Sequence, residues 1–125
     1  MDEQVKQALE RDRTIDITTI GRKTGSPRRI EIWFHNLEGC LYLTGLPGSR
    51  DWYANLVANP VFTFHLKESV QADLPARATP IVDEAQRRDI LARITRNLGG
   101  QRDLEAWVKD SPLVEVKLDP PSSAH

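Results

Sequence analysis

Cysteine and metal-ligand patterns are nearly absent from this 125-residue sequence, which contains one cysteine, Cys40, and three widely separated histidines. A lone cysteine allows no internal disulfide and no cysteine-based zinc site. The three histidines, His35, His65 and His125, do not have the spacing of a metal-binding motif. We therefore predict no metal site and expect the reducing cytoplasm as the location of the protein.

Long hydrophobic runs and an excess of one charge are also missing. No apolar stretch approaches the roughly 20 residues that a membrane-spanning helix needs. The 17 basic and 18 acidic residues leave a net charge of −1, whereas dedicated nucleic-acid-binding proteins usually carry a strong basic excess. We therefore predict no membrane span and no nucleic-acid partner, and RNA binding is a disfavoured alternative because aromatic residues are only 6% of the chain.

Alternating apolar and polar residues predict strands along most of the chain. The first three are joined by short connections without a helical crossover, which favours antiparallel pairing. In the second strand, the neighbours Trp33 and Phe34 must face opposite sides of the sheet. The predicted strands cover residues 14–20, 29–34, 41–44, 61–66, 71–82 and 113–118.

Helical spacing predicts helices over residues 2–12, from the N-cap Ser49 to Asn59, from the N-cap Asp83 to Leu98, and over residues 102–109. Arg87 and Arg88 are expected on a solvated helix face. Residues 120–125 are expected to form a disordered tail. The predicted fold is mainly β (α+β): one domain over residues 1–125, a small barrel of about six largely antiparallel strands with peripheral helices.

A basic turn between the first two strands is the most informative local feature. Residues 21–29 contain Arg22, Lys23, Arg28 and Arg29 and no acidic residue. Glycines at both ends of the turn allow its backbone amides to approach a ligand, and arginine and lysine suit phosphate oxygens. The composition suits a phosphate-binding turn, but ordinary solvated turns are often basic as well and are the commoner case.

The residues Thr19 to Arg28, TIGRKTGSPR, resemble the T-x-G-R-K-S/T-G-x-P-R signature of the deazaflavin (coenzyme F420)-dependent nitroreductase family. The similarity continues through Trp33-Phe34 and residues 39–45. It extends to Trp52–Pro60, WYANLVANP, which is similar to the W-Y-x-N-L-x-A-N-P helix of that family. The resemblance covers residues 14–66 well and the C-terminal half loosely.

This resemblance implies a split β-barrel of the flavin-binding, pyridoxamine-phosphate-oxidase-like type. It also implies an oxidoreductase that passes a hydride from the reduced deazaflavin coenzyme F420 to a small organic acceptor such as a quinone, nitroaromatic or enone. The resemblance further implies three groups of residues that contact the cofactor. Cationic residues bind its anionic tail, residues of the turn donate hydrogen bonds to it, and other residues lie beside its ring. These residues are Arg22, Lys23, Thr24, Gly25, Arg28, Trp33, Thr44, Gly45, Leu46 and Trp52.

The sequence departs from the family pattern in two places. The loop over residues 45–50 is a few residues shorter and has Pro47 where the family has lysine, so Arg50 is a candidate replacement. The C-terminal tyrosines of the family have no clear counterpart, and Trp107 is the nearest aromatic residue. The acceptor and the catalytic residues, including any proton donor, remain unassigned. FMN as the cofactor, a non-enzymatic flavin or tetrapyrrole carrier, and a possible homodimer remain open alternatives.

Overall fold

The computed structural model describes residues 2–119, and within them the chain folds around a closed β-barrel. The strands are β1 (Thr14–Ile20), β2 (Pro27–Leu37), β3 (Cys40–Thr44), β4 (Val61–Leu66), β5 (Ala72–Pro80) and β6 (Leu113–Leu118). The helices are α1 (Glu3–Arg11), α2 (Asp51–Ala58), α3 (Glu84–Leu98) and α4 (Leu104–Asp110).

The strands follow the order β1-β2-β3-β6-β5-β4 around the barrel, and every neighbouring pair is antiparallel. The β1–β2 hairpin has Ile20 opposite Pro27 at its end. Glu38 and Gly39 form the β2–β3 reversal with φ angles of 55° and 92°, the left-handed geometry that suits a tight hairpin. The predicted antiparallel barrel with peripheral helices is therefore confirmed.

The barrel interior is filled by the apolar residues that alternate along the strands. Ile15 and Ile17 of β1 are fully buried, and the rings of Phe34 and Phe64 meet edge to face with their centroids 5.3 Å apart. Helices α1 and α2 add residues such as Leu56 to the same core. Trp33, by contrast, is 47% exposed, so the prediction that Trp33 and Phe34 face opposite sides is confirmed.

A second apolar cluster lies outside the barrel and holds α3 and α4 against it. Ile90, Leu91 and Ile94 of α3 pack there with Trp107 of α4 and Tyr42 of β3. Burial is the main reason why the pKa of Tyr42 is raised. Trp107 is therefore a core residue of this cluster.

Several predicted boundaries differ from the structure. Helix α2 begins after Arg50, which makes no side-chain capping bond, so the assignment of Ser49 as the N-cap is wrong. Strand β5 covers Ala72–Pro80, which is shorter than predicted at both ends. The predicted tail over residues 120–125 lies outside the described residues.

Strand β2 is longer than predicted, which opens the sheet at one end. It covers Pro27–Leu37 and pairs with β1 from Trp33 back to Pro27. Strand β3 pairs with it only from Phe34 to Leu37. Residues 27–33 of β2 therefore have no strand on the β3 side within the described chain, and exposed side chains such as Ile30 lie along this stretch.

The prediction that Arg87 lies on a solvated helix face is wrong. Only 9% of this residue is exposed, and its guanidinium donates to the carbonyl oxygens of Ile81, Trp107, Val108 and Ser111. Such a buried cation is tolerated because its donors are satisfied. Arg88 is closer to the prediction: its side chain is half-buried and pairs with acidic residues.

None of the helices within residues 2–119 has the length and apolar character needed to cross a bilayer.

Candidate functional site

The basic turn is a closed loop held by its own backbone. The Gly21 amide donates to the Ser26 carbonyl and the Gly25 amide to the Gly21 carbonyl, each at 2.8 Å. Gly25 has a φ of +72°, a conformation that costs other residues energy. The Thr24 hydroxyl accepts a hydrogen bond from the Ser26 amide at 3.2 Å. The turn is thus preorganised and does not depend on a ligand for its shape.

Asn55 of α2 connects the turn to the barrel. Its Oδ1 accepts from the backbone amide of Arg22 at 3.1 Å and from Nη1 of the same residue at 2.9 Å. Its Nδ2 donates to the hydroxyl of Thr19 at 3.3 Å. The sequence analysis did not predict Asn55 as a site residue. Its place in the W-Y-x-N-L-x-A-N-P helix motif was the one feature of the sequence that could have pointed to it.

Two of the four cations of the turn are already paired. The Arg22 guanidinium lies 3.3 Å from the carboxylate of Asp51 on α2, and Arg29 lies 2.9 Å from the carboxylate of Asp16. The hydrogen bond from Lys67 is the main reason why the pKa of Asp16 lies below its usual value. Burial opposes this effect, and the hydrogen bond from Arg29 adds to the lowering. Asp51, like Asn55, was not predicted as part of the site.

The other two cations, Lys23 and Arg28, have no carboxylate within 4.0 Å in the part of the chain described. Arg28 stands opposite Thr19 in the β1–β2 hairpin, on the face that looks toward α2. Arg29, one residue later, faces the opposite side. The unpaired positive charge is therefore concentrated on one side of β2.

These residues line a groove of about 290 Å³ between the turn, the first half of β2 and the start of α2. It brings together five predicted site residues: Arg22, Lys23, Thr24, Arg28 and Trp52. Gly25 belongs to the same turn. The remaining lining residues are Thr19, Gly21, Ile30, Asp51 and Asn55.

Trp33 lies apart from this groove. It is three residues along β2 from Ile30, an odd number, so it faces the opposite side of the strand from the groove. The Arg13 guanidinium lies 5.7 Å from the centroid of its ring. Trp33 lines a different hollow together with His35.

Thr44, Gly45 and Leu46 also do not line the groove. Thr44 is buried, and its hydroxyl donates to the Pro112 carbonyl at 2.5 Å. Gly45 begins the loop that leads to α2, where a Cβ would lie 3.8 Å from Arg50 Nε. Leu46 is exposed. The guanidinium of Arg50 donates to the carbonyls of Leu46 and Ser49 and so braces this loop from within.

The groove contains anion-binding groups and no metal-binding cluster. Within residues 2–119, no three histidine, cysteine, aspartate or glutamate side chains are placed to hold a metal ion. The groove instead offers Lys23 and Arg28 as unpaired cations, and the hydroxyls and amides of a glycine-bracketed turn suit phosphate oxygens.

The family model for the F420H(2)-dependent quinone reductase family matches residues 2–119 of the chain. The chain belongs to this family. It is therefore an enzyme of a deazaflavin-dependent reductase family, and its cofactor is coenzyme F420. The recognition based on the turn and helix motifs is thus confirmed, together with the predicted cofactor.

Solved structures share the fold at low sequence identity. An F420 reductase is 22% identical, with a TM-score of 0.68, and the match covers 96% of this chain and 97% of that one. A candidate pyridoxamine 5′-phosphate oxidase of Listeria innocua is 13% identical, with a TM-score of 0.71 and coverage of 94% and 93%. The haem storage protein HutZ of Vibrio cholerae is 14% identical, with a TM-score of 0.60 and coverage of 95% and 90%. These likenesses show the split-barrel fold.

The residues present fit the anionic part of coenzyme F420. Lys23 and Arg28 have no competing carboxylate among the described residues, and the Thr24 hydroxyl lies in the same preorganised turn. The volume of the groove suits an anionic end group and the chain attached to it rather than the whole coenzyme.

Proposed function

We propose that this F420-dependent reductase transfers a hydride from the reduced coenzyme to a small organic acceptor of the quinone, nitroaromatic or enone class. The observation that carries the proposal is the pair of unpaired cations, Lys23 and Arg28, in a groove beside α2. The family match to F420H(2)-dependent quinone reductases supports a quinone-type acceptor.

Each residue of the turn has a distinct proposed role. Lys23 and Arg28 bind the phosphate or acidic tail of the coenzyme by charge-assisted hydrogen bonds. The Thr24 hydroxyl adds a further donor. The Gly25 amide already donates to the Gly21 carbonyl, so Gly25 contributes the shape of the turn rather than a hydrogen bond to the coenzyme. Arg22 acts as a positioning residue, because its guanidinium is already held by Asp51 and Asn55 of α2.

When bound, the reduced coenzyme supplies the hydride, so the chain needs no nucleophile of its own. In this proposal Trp52 forms one wall of the groove and shields the bound coenzyme from solvent. Trp33, Thr44, Gly45 and Leu46 remain the proposed contacts of the coenzyme's ring. Tyr42 packs in the α3–α4 cluster, so Tyr53 or solvent is the better source of the acceptor's proton.

A titration of tryptophan fluorescence with coenzyme F420 and, separately, with FMN tests the proposal. Trp52 lines the groove, so we expect quenching by F420. Arg28→Met removes a charge-assisted contact, which should weaken F420 binding by about tenfold or more. Arg29→Met is the matched control, because Arg29 faces the other side of β2 and pairs with Asp16.

Equal weakening by both variants would mean that only general charge matters, and the proposed tail site would be wrong. Quenching by FMN alone would move the enzyme to the FMN alternative on the same fold. Tight coenzyme binding without reduction of any quinone, nitroaromatic or enone would instead favour a carrier function.

The expected cytoplasmic location and the homodimer stay part of the proposal. An exposed free thiol at Cys40 suits a reducing compartment. Analytical ultracentrifugation of the purified chain would test the dimer.

A further inference from the structure

A single carboxylate, that of Asp51, lies among the cations of the groove. Arg22, Lys23 and Arg28 line the groove together with it, and no other acidic residue within residues 2–119 does so. An acidic residue in the first turn favours a helix, but the same carboxylate repels any anion that enters the groove. Asp51 therefore acts on the charge of the groove as well as on α2.

The Arg22 guanidinium is divided between two side chains of α2. Its Nη1 donates to Asn55 Oδ1 at 2.9 Å, whereas its Nη2 donates to Asp51 Oδ1 at 3.3 Å. Asn55 is 4% exposed and also accepts from the backbone amide of Arg22. Asn55 therefore fixes the position of the guanidinium, while Asp51 neutralises its charge and occupies Nη2.

The ion pair between Arg22 and Asp51 is open to solvent. The side chain of Asp51 is 92% exposed and that of Arg22 is 32% exposed, and ion pairs of this kind contribute little to the stability of a fold. The buried residues that hold α2 against the barrel are Trp52, Asn55 and Leu56. A substitution at Asp51 can therefore change the charge of the groove without unfolding the protein.

We propose that Asp51 is a specificity-determining residue, which prevents Arg22 from binding the coenzyme and so limits the charge of the anionic group that the groove accepts. The inference rests on the proposed function, in which the groove binds the anionic tail of the coenzyme. Two lining cations, Lys23 and Arg28, have no carboxylate partner within the described chain. They suit a group of about two negative charges, such as a phosphate monoester.

Groups with more negative charge are disfavoured for two reasons. The repulsion from the Asp51 carboxylate grows with the charge of the ligand. The third cation, Arg22, is already neutralised by the same carboxylate. Removing the charge of Asp51 should therefore favour a highly charged ligand more than a weakly charged one.

Two inorganic probes, orthophosphate and the more highly charged tripolyphosphate, test the proposal on the full chain. Nitrogen-15 amide shifts of Lys23 and Thr24 report binding at the turn, at constant ionic strength with chloride as the balancing salt. Asp51→Asn removes the charge of the side chain and keeps its size. It should strengthen tripolyphosphate binding about tenfold and orthophosphate binding about threefold.

Glu31→Gln is the matched control, because it also removes one negative charge from the surface near the groove. Glu31 is two residues from Arg29 on the same face of β2, pairs with Lys67 and does not line the groove. The affinities for both probes should therefore stay within a factor of about two of the wild type, because solvent and salt screen this charge.

The Arg22→Met background separates the neutralisation of Arg22 from simple repulsion by Asp51. With no cation left to release, Asp51→Asn should strengthen tripolyphosphate binding there only about threefold. A tenfold gain in both backgrounds would overturn the proposal, since Asp51 would then act without Arg22. Equal gains for the two probes, or gains in Glu31→Gln as large as those in Asp51→Asn, would overturn it as well.

Failure of this inference is distinguishable from failure of the proposed function. Saturable binding of both probes to the wild type, with no change in Asp51→Asn, would overturn the role of Asp51 and leave the tail site in place. The absence of any saturable shift at Lys23 and Thr24, in the wild type and in Asp51→Asn, would overturn the tail site and this inference with it.

Discussion

Replacing Arg87 tests whether the buried cation holds the C-terminal part of the fold together. Its guanidinium bridges three segments: the carbonyl of Ile81 before α3, those of Trp107 and Val108 in α4, and that of Ser111 before β6. Arg87→Met keeps most of the aliphatic volume but leaves these acceptors without their charged donor.

The magnitude follows from opposing effects. Hydrogen bonds to a charged group contribute about 1.5–3 kcal/mol each, and Arg87 makes four of them. Removing the charge also removes its desolvation cost, which is several kcal/mol for a buried ion. The expected net loss is about 3 kcal/mol. With an unfolding entropy of about 260 cal/mol/K for a chain of this length, the melting temperature should fall by about 11 °C.

Thermal unfolding followed by far-UV circular dichroism measures this shift. Arg88→Met is the matched control, because Arg88 is the next residue of α3 but is only half-buried and pairs with the exposed carboxylates of Glu84 and Glu105. Its shift should be much smaller. Arg87→Lys should recover only part of the loss, since an ammonium cannot reproduce the planar fork. Equal melting temperatures for Arg87→Met and Arg88→Met would refute the reasoning.

Three further predictions concern the turn, the core and pH. Gly21→Ala places a Cβ 2.7 Å from the Thr24 hydroxyl, so the Thr24 side chain must move and its hydrogen bond from the Ser26 amide is lost. F420 affinity measured by fluorescence should fall about tenfold; unchanged affinity would contradict this geometry. Phe64→Ala, at a fully buried ring, should cost about 3–5 kcal/mol in urea unfolding, and a loss below about 1 kcal/mol would refute the packing. Burial, followed by the nearby charge of Arg13, lowers the pKa of His35 to about 4. Between pH 6.5 and 4 the unfolded chain therefore binds the extra proton, stability falls with falling pH, and His35→Gln should flatten that dependence in urea titrations.

The barrel strands could be predicted from the sequence because their burial alternates with period two. Ile15 and Ile17 are both inside the barrel, and the residues between and beside them are only partly buried. The start of α2 could not be predicted in the same way. Ser49 is a chemically good N-cap, but the N-cap position is taken by the next residue, Arg50, which makes no side-chain capping bond. The preference of Ser49 for the N-cap position is weaker than the constraint on the loop before α2, whose carbonyls at Leu46 and Ser49 are held by the Arg50 guanidinium.

The buried position of Arg87 could not be read from its own helix. An arginine next to another arginine is normally solvated, and the carbonyls that satisfy Arg87 come from residues 6 to 24 positions away.

The sequence by itself determined the antiparallel barrel, the basic glycine-bracketed turn and the family, because alternation and short motifs are local properties. Only the tertiary structure decided which cations remain available. Asp51 pairs with Arg22 from 29 residues away, and Asp16 pairs with Arg29 across the hairpin. Lys23 and Arg28 are left to face the groove, because ion pairing depends on distances of a few ångströms that chain folding creates.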